Sequence, residues 1–448
     1  MRILPSFLWN RLIEFSKWKH PHHGGFRHRL LIPMLHLSIR IPQTIASKIA
    51  LIFCLILSIP INCKAFELFD SVQVHGFASQ AMFLSSGNGM FTDNKSNPNF
   101  EFTELGINGS WYATPNLRLS MQVLSRRAGR WDNGSPVIDF GLMDYSFSFD
   151  SAYRVGIRAG RVRQPYGLYN DTRDVAFTRP SILLPQSIYL EGARDLTISG
   201  DGLILYGEST KPWGNLTLEL FGGYPRTESI NNQFQAVFGY SGVLESNPSF
   251  VGRFNYETYN GRLRFALTGA YTTATASKSV PSPNGLVTFA PMIFSAQYTT
   301  EKWTLTSEYD FDFFKGENLG LPGFPINPDF NYFGQKYYFQ AAYRFNPQWE
   351  LMARYDAMYP NSHDQSGYQA SIKSKGLSPD YSHYAKTMTV GLRWDITPMM
   401  MIRAEYNYIN GTAWLPVQGV PTGVFGISDN SQTSKYWDLF GLQVSIRF

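Results

Sequence analysis

Arginines recur at the polar positions of short segments in which polar and apolar residues alternate, and they are the residues best suited to chemistry. In NLRLSMQVLSR, for example, Arg118 and Gln122 alternate with Leu119 and Met121. A guanidinium stays protonated and offers a planar fork of donors that fits carboxylate and phosphate oxygens. The set comprises Arg118, Arg126, Arg154, Arg158, Arg262, Arg264, Arg354, Arg393 and Arg403. Together these residues favour weak anion binding, although each one taken singly is better explained by pairing with a carboxylate.

Acidic residues occupy the same polar positions, and no stretch of the chain matches a catalytic motif. The acidic residues are Glu219, Glu257, Glu308, Asp310, Asp312, Glu350, Asp356 and Glu405. A nucleophile elbow, a Walker loop and a His-Glu-x-x-His motif are all missing from the sequence. Both cysteines, Cys54 and Cys63, precede residue 66, so the rest of the chain offers neither a disulfide nor a thiolate metal site. We therefore predict no enzyme, no metal and no cofactor.

The elements that carry these residues are predicted to be strands, because alternation with period two indicates a strand with one apolar face. In WTLTSEYDFDF, for example, Trp303 and Leu305 alternate with Thr304 and Thr306. The sixteen predicted strands lie near 71–83, 100–112, 116–126, 137–149, 153–163, 196–207, 214–224, 250–258, 261–271, 289–300, 302–313, 334–345, 348–359, 384–396, 398–410 and 436–448.

Connections between the predicted strands alternate between long and short. Short ones include Tyr259-Asn260 and Asn346-Pro347, whereas long ones include 164–195 and 360–383. Long loops at one end, tight turns at the other and an even strand count are typical of a transmembrane antiparallel β-barrel of the outer-membrane type. We therefore predict an all-β barrel of about 16 strands with short periplasmic turns and long extracellular loops.

A large soluble sandwich or barrel would show the same alternation, but two features favour the membrane barrel. Most predicted strands have 10–13 residues, close to the roughly 9–11 that a tilted strand needs to cross a bilayer. Trp111, Trp303, Trp349 and Trp394 also fall beside the short turns, as an aromatic girdle at one membrane interface would require. The chain ends in the alternating segment GLQVSIRF, and a last strand ending in Phe448 resembles the signal that the outer-membrane barrel assembly machinery recognises.

The beginning of the chain predicts export. Residues 1–47 are basic, and Lys48 precedes an apolar run from Ile49 to Ile61 followed by Cys63-Lys64-Ala65, which is typical of a cleaved signal peptide with its core at 48–65. Met34 would open a signal of ordinary length, so translation from Met1 or from Met34 stays open. Residues 1–65 hold nine of the 39 basic and one of the 34 acidic residues, which leaves residues 66–448 at net charge −3. Net charge therefore gives no argument for nucleic-acid binding, and no nucleic-acid partner is predicted.

The predicted sixteen strands, the start SVQVHGFASQ and the stretch GRVRQPYGLYNDTRD at 160–174 resemble the phosphate-selective porin O/P-like superfamily of Gram-negative bacteria. This resemblance implies a homotrimeric channel in outer-membrane lipid that passes anions such as phosphate or dicarboxylates. It also implies that the third long loop, here 164–195, folds into the pore and narrows it. Arg173 and Arg179 of that loop would then be the best candidates to touch the solute.

The function predicted from all of these features is passive diffusion of small hydrophilic solutes with a weak preference for anions. The barrel would occupy residues 66–448, and the leader residues 1–65. Two alternatives stay open: a plugged barrel whose long loops bind a surface partner, and a channel specific for a sugar or an aromatic solute.

Overall fold

Strands form where every second residue is apolar, and they make up most of the residues that the structure describes. A computed structural model describes residues 66–69, 71–91, 97–129, 131–226, 242–278, 285–318, 329–374, 378–415 and 433–448. The predicted leader, 1–65, lies outside the described residues. The strands are β1 Phe66–Phe69, β2 Val72–Ser86, β3 Asn99–Thr114, β4 Leu117–Ala128, β5 Asn133–Ser148, β6 Tyr153–Arg163, β7 Ser199–Lys211, β8 Gly214–Pro225, β9 Gly242–Ser246, β10 Ser249–Thr258, β11 Leu263–Lys278, β12 Gly285–Thr299, β13 Trp303–Glu317, β14 Phe330–Arg344, β15 Trp349–Tyr359, β16 Ala385–Thr397, β17 Met400–Gly411 and β18 Tyr436–Arg447.

Sixteen of these strands close into one antiparallel barrel. Each wall strand pairs with the next along the chain, and β18 pairs with β2 to close the ring, with Val444 opposite Gln80. Strand β10 pairs with both β8 and β11, so β9 is only a short extra strand against the far end of β11. Strand β1 forms a small hairpin with β2. The predicted barrel of sixteen antiparallel strands is confirmed.

The short helices all lie in connections. They are Asn170–Thr172, Ala176–Thr178, Glu191–Ala193, Arg194–Ile198, Ser362–Asp364, Tyr368–Lys373 and Asp380–His383. In the part of the chain that the structure describes, no helix has the length and apolar character needed to span a membrane.

One short turn shows how the sequence sets the wall's geometry. Asn260 and Gly261 connect β10 to β11, and Gly261 has φ +66°, a conformation that glycine adopts without steric cost. The Gly261 N–H donates to the Thr258 carbonyl at 2.8 Å, and the Asn260 side chain accepts from the Arg262 N–H at 3.1 Å. Turn residues with this chemistry fix the register of the two strands.

The two faces of the wall are inverted relative to a soluble protein. On β13, Glu308 and Asp310 are fully buried inside the barrel, whereas Leu305 on the opposite face is 43% exposed. On β17, Arg403 is buried and Tyr406 is exposed. Charged residues are rarely buried in soluble proteins, and large contiguous apolar surfaces are rarely exposed. The outside of this barrel is therefore its apolar side.

Aromatic residues ring the end of the barrel that carries the short turns. Trp111, Trp303 and Trp394 are exposed on the outer face there. The ring of Trp349 stacks on that of Trp394, with their centroids 5.3 Å apart. The tryptophans noted in the sequence thus lie beside the short turns as predicted.

Candidate functional site

The connection between β6 and β7, residues 164–198, lies inside the barrel, and we call it the inner loop. It contains the predicted constriction, 164–195. Six of its seven charged side chains are buried, namely Arg173, Asp174, Arg179, Glu191, Arg194 and Asp195, and Asp171 is exposed. A surface loop would leave such side chains in water, so their burial shows that the wall surrounds this segment.

Apolar side chains hold the inner loop against two regions of the wall. Ile182 and Leu183 belong to a buried cluster with Phe83 of β2 and Trp437 of β18. Tyr189 belongs to a second cluster, which includes Ile293 of β12 and Tyr338 of β14. The loop therefore packs on parts of the wall that are far apart along the sheet.

Ion pairs tie the loop to β3 and β4. Arg179 donates two hydrogen bonds to Glu104 of β3, at 2.7 Å and 3.2 Å, and both side chains are buried. Arg126 of β4 forms ion pairs with Glu104 and with Glu191 of the loop. Burial by itself raises the pKa of the Glu191 carboxyl, but Arg126, Arg173 and Arg179 outweigh it and leave that pKa lowered. Glu191 therefore stays ionised among the arginines.

A second group of bonds ties the loop to β10 and β13. The Tyr189 hydroxyl donates to Glu308 at 2.7 Å, and the Leu168 N–H donates to the same carboxylate at 3.0 Å. Arg253 of β10 donates to the Gly167 carbonyl at 2.9 Å. Gly167 has φ +57°, and a Cβ there would collide with the Tyr189 hydroxyl, so only glycine fits this approach.

A third group of bonds comes from β15 to β17. Arg354 donates to the Ser181 hydroxyl at 2.8 Å and to the Leu183 carbonyl at 3.2 Å. Arg403 donates to the carbonyls of Ala176, Ser181 and Arg179 at 3.3, 3.2 and 2.8 Å. Arg393 donates to the Phe177 carbonyl at 3.1 Å. The inner loop thus touches strands on opposite sides of the barrel.

The predicted arginines fall into two groups. The first group binds within the inner loop or holds it to the wall, and it comprises Arg126, Arg173, Arg179, Arg354, Arg393 and Arg403. Because Arg173 is 1% exposed and pairs with Glu191 at 3.3 Å, and Arg179 is 4% exposed and pairs with Glu104, neither is presented to a solute in this structure. We therefore assign these two residues to anchoring the loop rather than to solute contact.

The second group lies on the wall beside the loop, towards the short turns. It comprises Arg118, Arg154, Arg158, Arg262 and Arg264. The side chain of Arg118 is 37% exposed and that of Arg154 is 46% exposed. Arg264 donates to the Asn255 side chain at 2.8 Å. Arg262 is exposed in the turn before β11 and does not belong to that strand. These are the predicted arginines that water reaches most easily.

Wall charges alternate in sign from β4 to β10, and we call this row the charged belt. Arg118 pairs with Asp144 at 2.9 Å, and Asp144 also lies 3.5 Å from Arg158. Arg158 pairs with Glu219 at 2.9 Å, which in turn pairs with Arg253 at 2.6 Å. Each carboxylate lies between two arginines, and Arg253 also pairs with Asp171 of the inner loop at 2.8 Å, so the positive charge of the belt is largely neutralised.

Arg253 and Lys336 are lumen-facing residues that the sequence prediction omitted. Arg253 lies on β10 opposite Glu219 of β8, and Lys336 of β14 forms an ion pair with Asp312 of β13. Both lie at polar positions of alternating strands, so the pattern that identified the other basic residues also predicts these two in the lumen. Among the described residues, no group of three or more His, Cys, Asp and Glu side chains is arranged to hold a metal.

The C-terminal residue lies at the seam where the barrel closes. The Phe448 N–H donates to the Gly76 carbonyl at 3.0 Å, and the Gly76 N–H donates back to Phe448 at 3.2 Å. The phenyl ring covers Gly76, where a Cβ would collide with it. Phe448 therefore extends the pairing of β18 with β2 by one residue.

Replacing Phe448 with alanine is expected to lower the fraction of protein recovered as a closed barrel, because the seam loses its terminal aromatic contact. The barrel's heat-sensitive mobility in gel electrophoresis measures that fraction. Phe345→Ala is the matched control, because Phe345 is an exposed aromatic in the turn between β14 and β15. Equal recovery of the two variants would remove Phe448 from any role in assembly.

Comparison with known proteins finds this architecture in several solved structures. OmpT, an outer membrane protein of Vibrio cholerae, is 11% identical and has a TM-score of 0.51, covering 86% of this chain and 100% of that chain. The anion-selective porin from Comamonas acidovorans is 13% identical with a TM-score of 0.50, covering 84% and 99%. Pseudomonas putida OprB is 11% identical with a TM-score of 0.51, covering 84% and 94%.

The likeness is one of fold. At such low identity it supports the sixteen-stranded barrel and says nothing about the solute. No family model and no curated protein matches the chain. The narrower resemblance to phosphate-selective porins stays a prediction.

Proposed function

We propose that this protein is an outer-membrane porin that lets small hydrophilic solutes diffuse passively. The observation that carries the proposal is the inverted wall, with an exposed apolar outer face and a charged interior. In a bilayer, a closed barrel satisfies the hydrogen bonds of every backbone polar group in the wall, and its apolar outer face contacts lipid instead of water. The wall strands have 10 to 16 residues, enough to cross a membrane at a tilt.

The proposed path runs through the space that the inner loop leaves beside the charged belt. Because arginines and carboxylates alternate in the belt, a permeating ion meets a nearly balanced field. Arg118 and Arg154 are the arginines with the most exposed side chains that still face the lumen, and rings of arginine in a pore favour anions. A weak anion preference follows, with phosphate-type or carboxylate-type solutes as the candidates.

Single-channel recording in a planar bilayer under a KCl gradient tests this function. Stepwise conductance with a reversal potential that favours chloride is expected. Phosphate or a dicarboxylate is then added, and the one that blocks the chloride current identifies the class of solute that binds in the channel. Conductance that favours potassium would still support a porin but would contradict the proposed anion preference.

Changing Arg118 and Arg154 together to glutamine is expected to lower the chloride-to-potassium permeability ratio by roughly two- to five-fold, the effect of ~0.4–1 kcal/mol for exposed charges. The measurement is the reversal potential. Arg127→Gln is the matched control, since Arg127 is exposed on the outer face of the same strand β4 and pairs with Glu101. A permeability ratio that moves equally in the control would assign the effect to net charge rather than to the lumen.

A closed barrel that binds a surface partner through its loops is the second candidate. The inner loop has contacts with strands on opposite sides of the wall, from Glu104 on β3 to Glu308 on β13, and such anchoring would also suit a plug. A barrel that folds, inserts into the bilayer and passes no current would favour this candidate.

Export through a cleaved leader, assembly by the barrel assembly machinery and a homotrimeric state belong to the same proposal. They rest on the sequence patterns described above. Cleavage after Ala65 gives a mature protein that begins Phe-Glu-Leu-Phe, which N-terminal sequencing of the purified protein tests.

A further inference from the structure

The outer face of the barrel carries a groove along β7 near the short turns. Its volume is about 420 Å³, and its lining includes Tyr153 and Val155 on one side and Leu216, Leu218 and Phe254 on the other. These residues stand in adjacent registers across four strands, with Val155 opposite Gly207, Gly207 opposite Leu218, and Leu218 opposite Phe254. The groove therefore runs along strand β7, with apolar side chains of the neighbouring strands on both sides.

Small residues make the floor of the groove. Gly207 and Ser209 line it, whereas the neighbouring strands present large side chains at the same level. A Cβ placed on Gly207 would meet only a Val155 methyl group, at 4.0 Å. The space above Gly207 is therefore open, and a larger side chain would fill it without disturbing the wall.

A cationic group lies where the groove reaches the rim. Lys211 continues the outward phase of Gly207 and Ser209 at the end of β7. Its ammonium lies 4.1 Å from the centroid of the Tyr153 ring and donates a hydrogen bond to the Tyr153 hydroxyl. Within the described residues Lys211 forms no ion pair with a carboxylate. Trp213, in the turn that follows, is 54% exposed.

We propose that this groove binds one glycerophospholipid, with an acyl chain along Gly207 and Ser209 and the phosphate on Lys211. The groove is apolar and ends near a cation that has no carboxylate partner, beside exposed aromatic residues. These features match a molecule with an apolar chain and an anionic head. The proposal rests on the membrane location proposed above and adds a specific lipid site to it. A second copy of this chain would also cover apolar surface, but binding a second copy would not explain a lysine at the end of a groove only one strand wide.

Native mass spectrometry of the purified barrel with added phosphatidylglycerol tests the proposal. We expect one tightly retained lipid per barrel, loss of that lipid in Gly207→Leu, and about tenfold weaker retention in Lys211→Gln, as for the loss of a charge-assisted hydrogen bond. Gly269→Leu and Lys302→Gln are the matched controls. Gly269 has nothing within 4 Å of its Cβ position on β11, and Lys302 is an exposed lysine in the short turn before β13.

The mass spectra distinguish a specifically bound phospholipid from lipid held without a specific site and from a second copy of the chain. Retention lost equally in Gly269→Leu, or unchanged in Gly207→Leu, would show lipid held without a specific site and would overturn the proposal. A change of oligomeric mass in Gly207→Leu with unchanged lipid would overturn it in favour of a second copy. Current recorded from the same preparation tests the porin separately, so failure of the lipid site leaves that result intact.

Discussion

Excising most of the inner loop is expected to raise single-channel conductance several-fold. The variant removes residues 167–195 and joins the ends with a short Gly-Ser linker. The base of the loop is retained, because the Gln164 N–H donates to the Ile198 carbonyl at 3.2 Å and holds the ends of β6 and β7 together. With the loop gone, wall groups such as Glu308 and Arg403 face a wide lumen that fills with water, which replaces the lost hydrogen bonds.

Removal of the helix Tyr368–Lys373 is the matched control for this experiment. That helix lies in the connection between β15 and β16, and its Tyr368 and Ile372 side chains are exposed. Its loss is expected to leave the conductance unchanged. If excision of the inner loop also left the conductance unchanged, the constriction would lie elsewhere in the barrel. A silent wild type that conducts after excision would instead identify the inner loop as a plug.

Breaking the buried pair of Arg179 and Glu104 is expected to lower the free energy of unfolding by about 3–5 kcal/mol in Glu104→Gln, and by less in Arg179→Met. Arg179→Met leaves the Glu104 carboxylate with Arg126 and the Ser79 hydroxyl, and Glu104→Gln leaves the buried Arg179 guanidinium without its carboxylate. The double variant is expected to lose less than the sum of the two, because it removes the guanidinium that Glu104→Gln leaves without its carboxylate. Urea unfolding in lipid vesicles, followed by tryptophan fluorescence, measures the three values.

Strand β3 also provides the control for this cycle. Arg127 of β4 and Glu101 of β3 form an ion pair on the outer rim, where their side chains are 55% and 32% exposed. The corresponding variants Arg127→Met and Glu101→Gln are expected to cost ~0–1 kcal/mol, since water screens exposed pairs. Equal costs for the buried and the exposed pair would contradict the role of Arg179 as an anchor of the inner loop.

The wall was predictable from the sequence because a strand with one face in lipid and one in the lumen must alternate. On β13, Leu305 faces outward and Glu308 inward, as their alternation requires. The prediction failed where the alternation fades. Strand β11 continues to Lys278 through the polar run TTATAS, whereas the pattern ended near residue 271. Backbone pairing with β9 and β12 extends the strand there without help from an apolar face.

The position of the inner loop inside the barrel was predictable only through the resemblance, and its contacts were not predictable. Glu104 and Arg179 are separated by 75 positions, and no local pattern links them. The alternation predicted Arg354 and Arg403 on the inner face, where both contact the inner loop. It could not distinguish a side chain that holds a loop from one that meets a solute. That difference depends on the path of 164–198 through the interior, which is decided by packing between distant segments.

The course of the inner loop also sets an order of events in folding. Its residues are synthesised before eleven of the sixteen wall strands, yet its partners extend to Arg447, whose guanidinium lies 4.3 Å from the centroid of the Phe177 ring. Contacts between distant segments form late and slow the folding of a chain. We therefore expect the charges of the loop to stay hydrated until β18 meets β2, so that closing the ring and burying the ion pairs of the loop become one step.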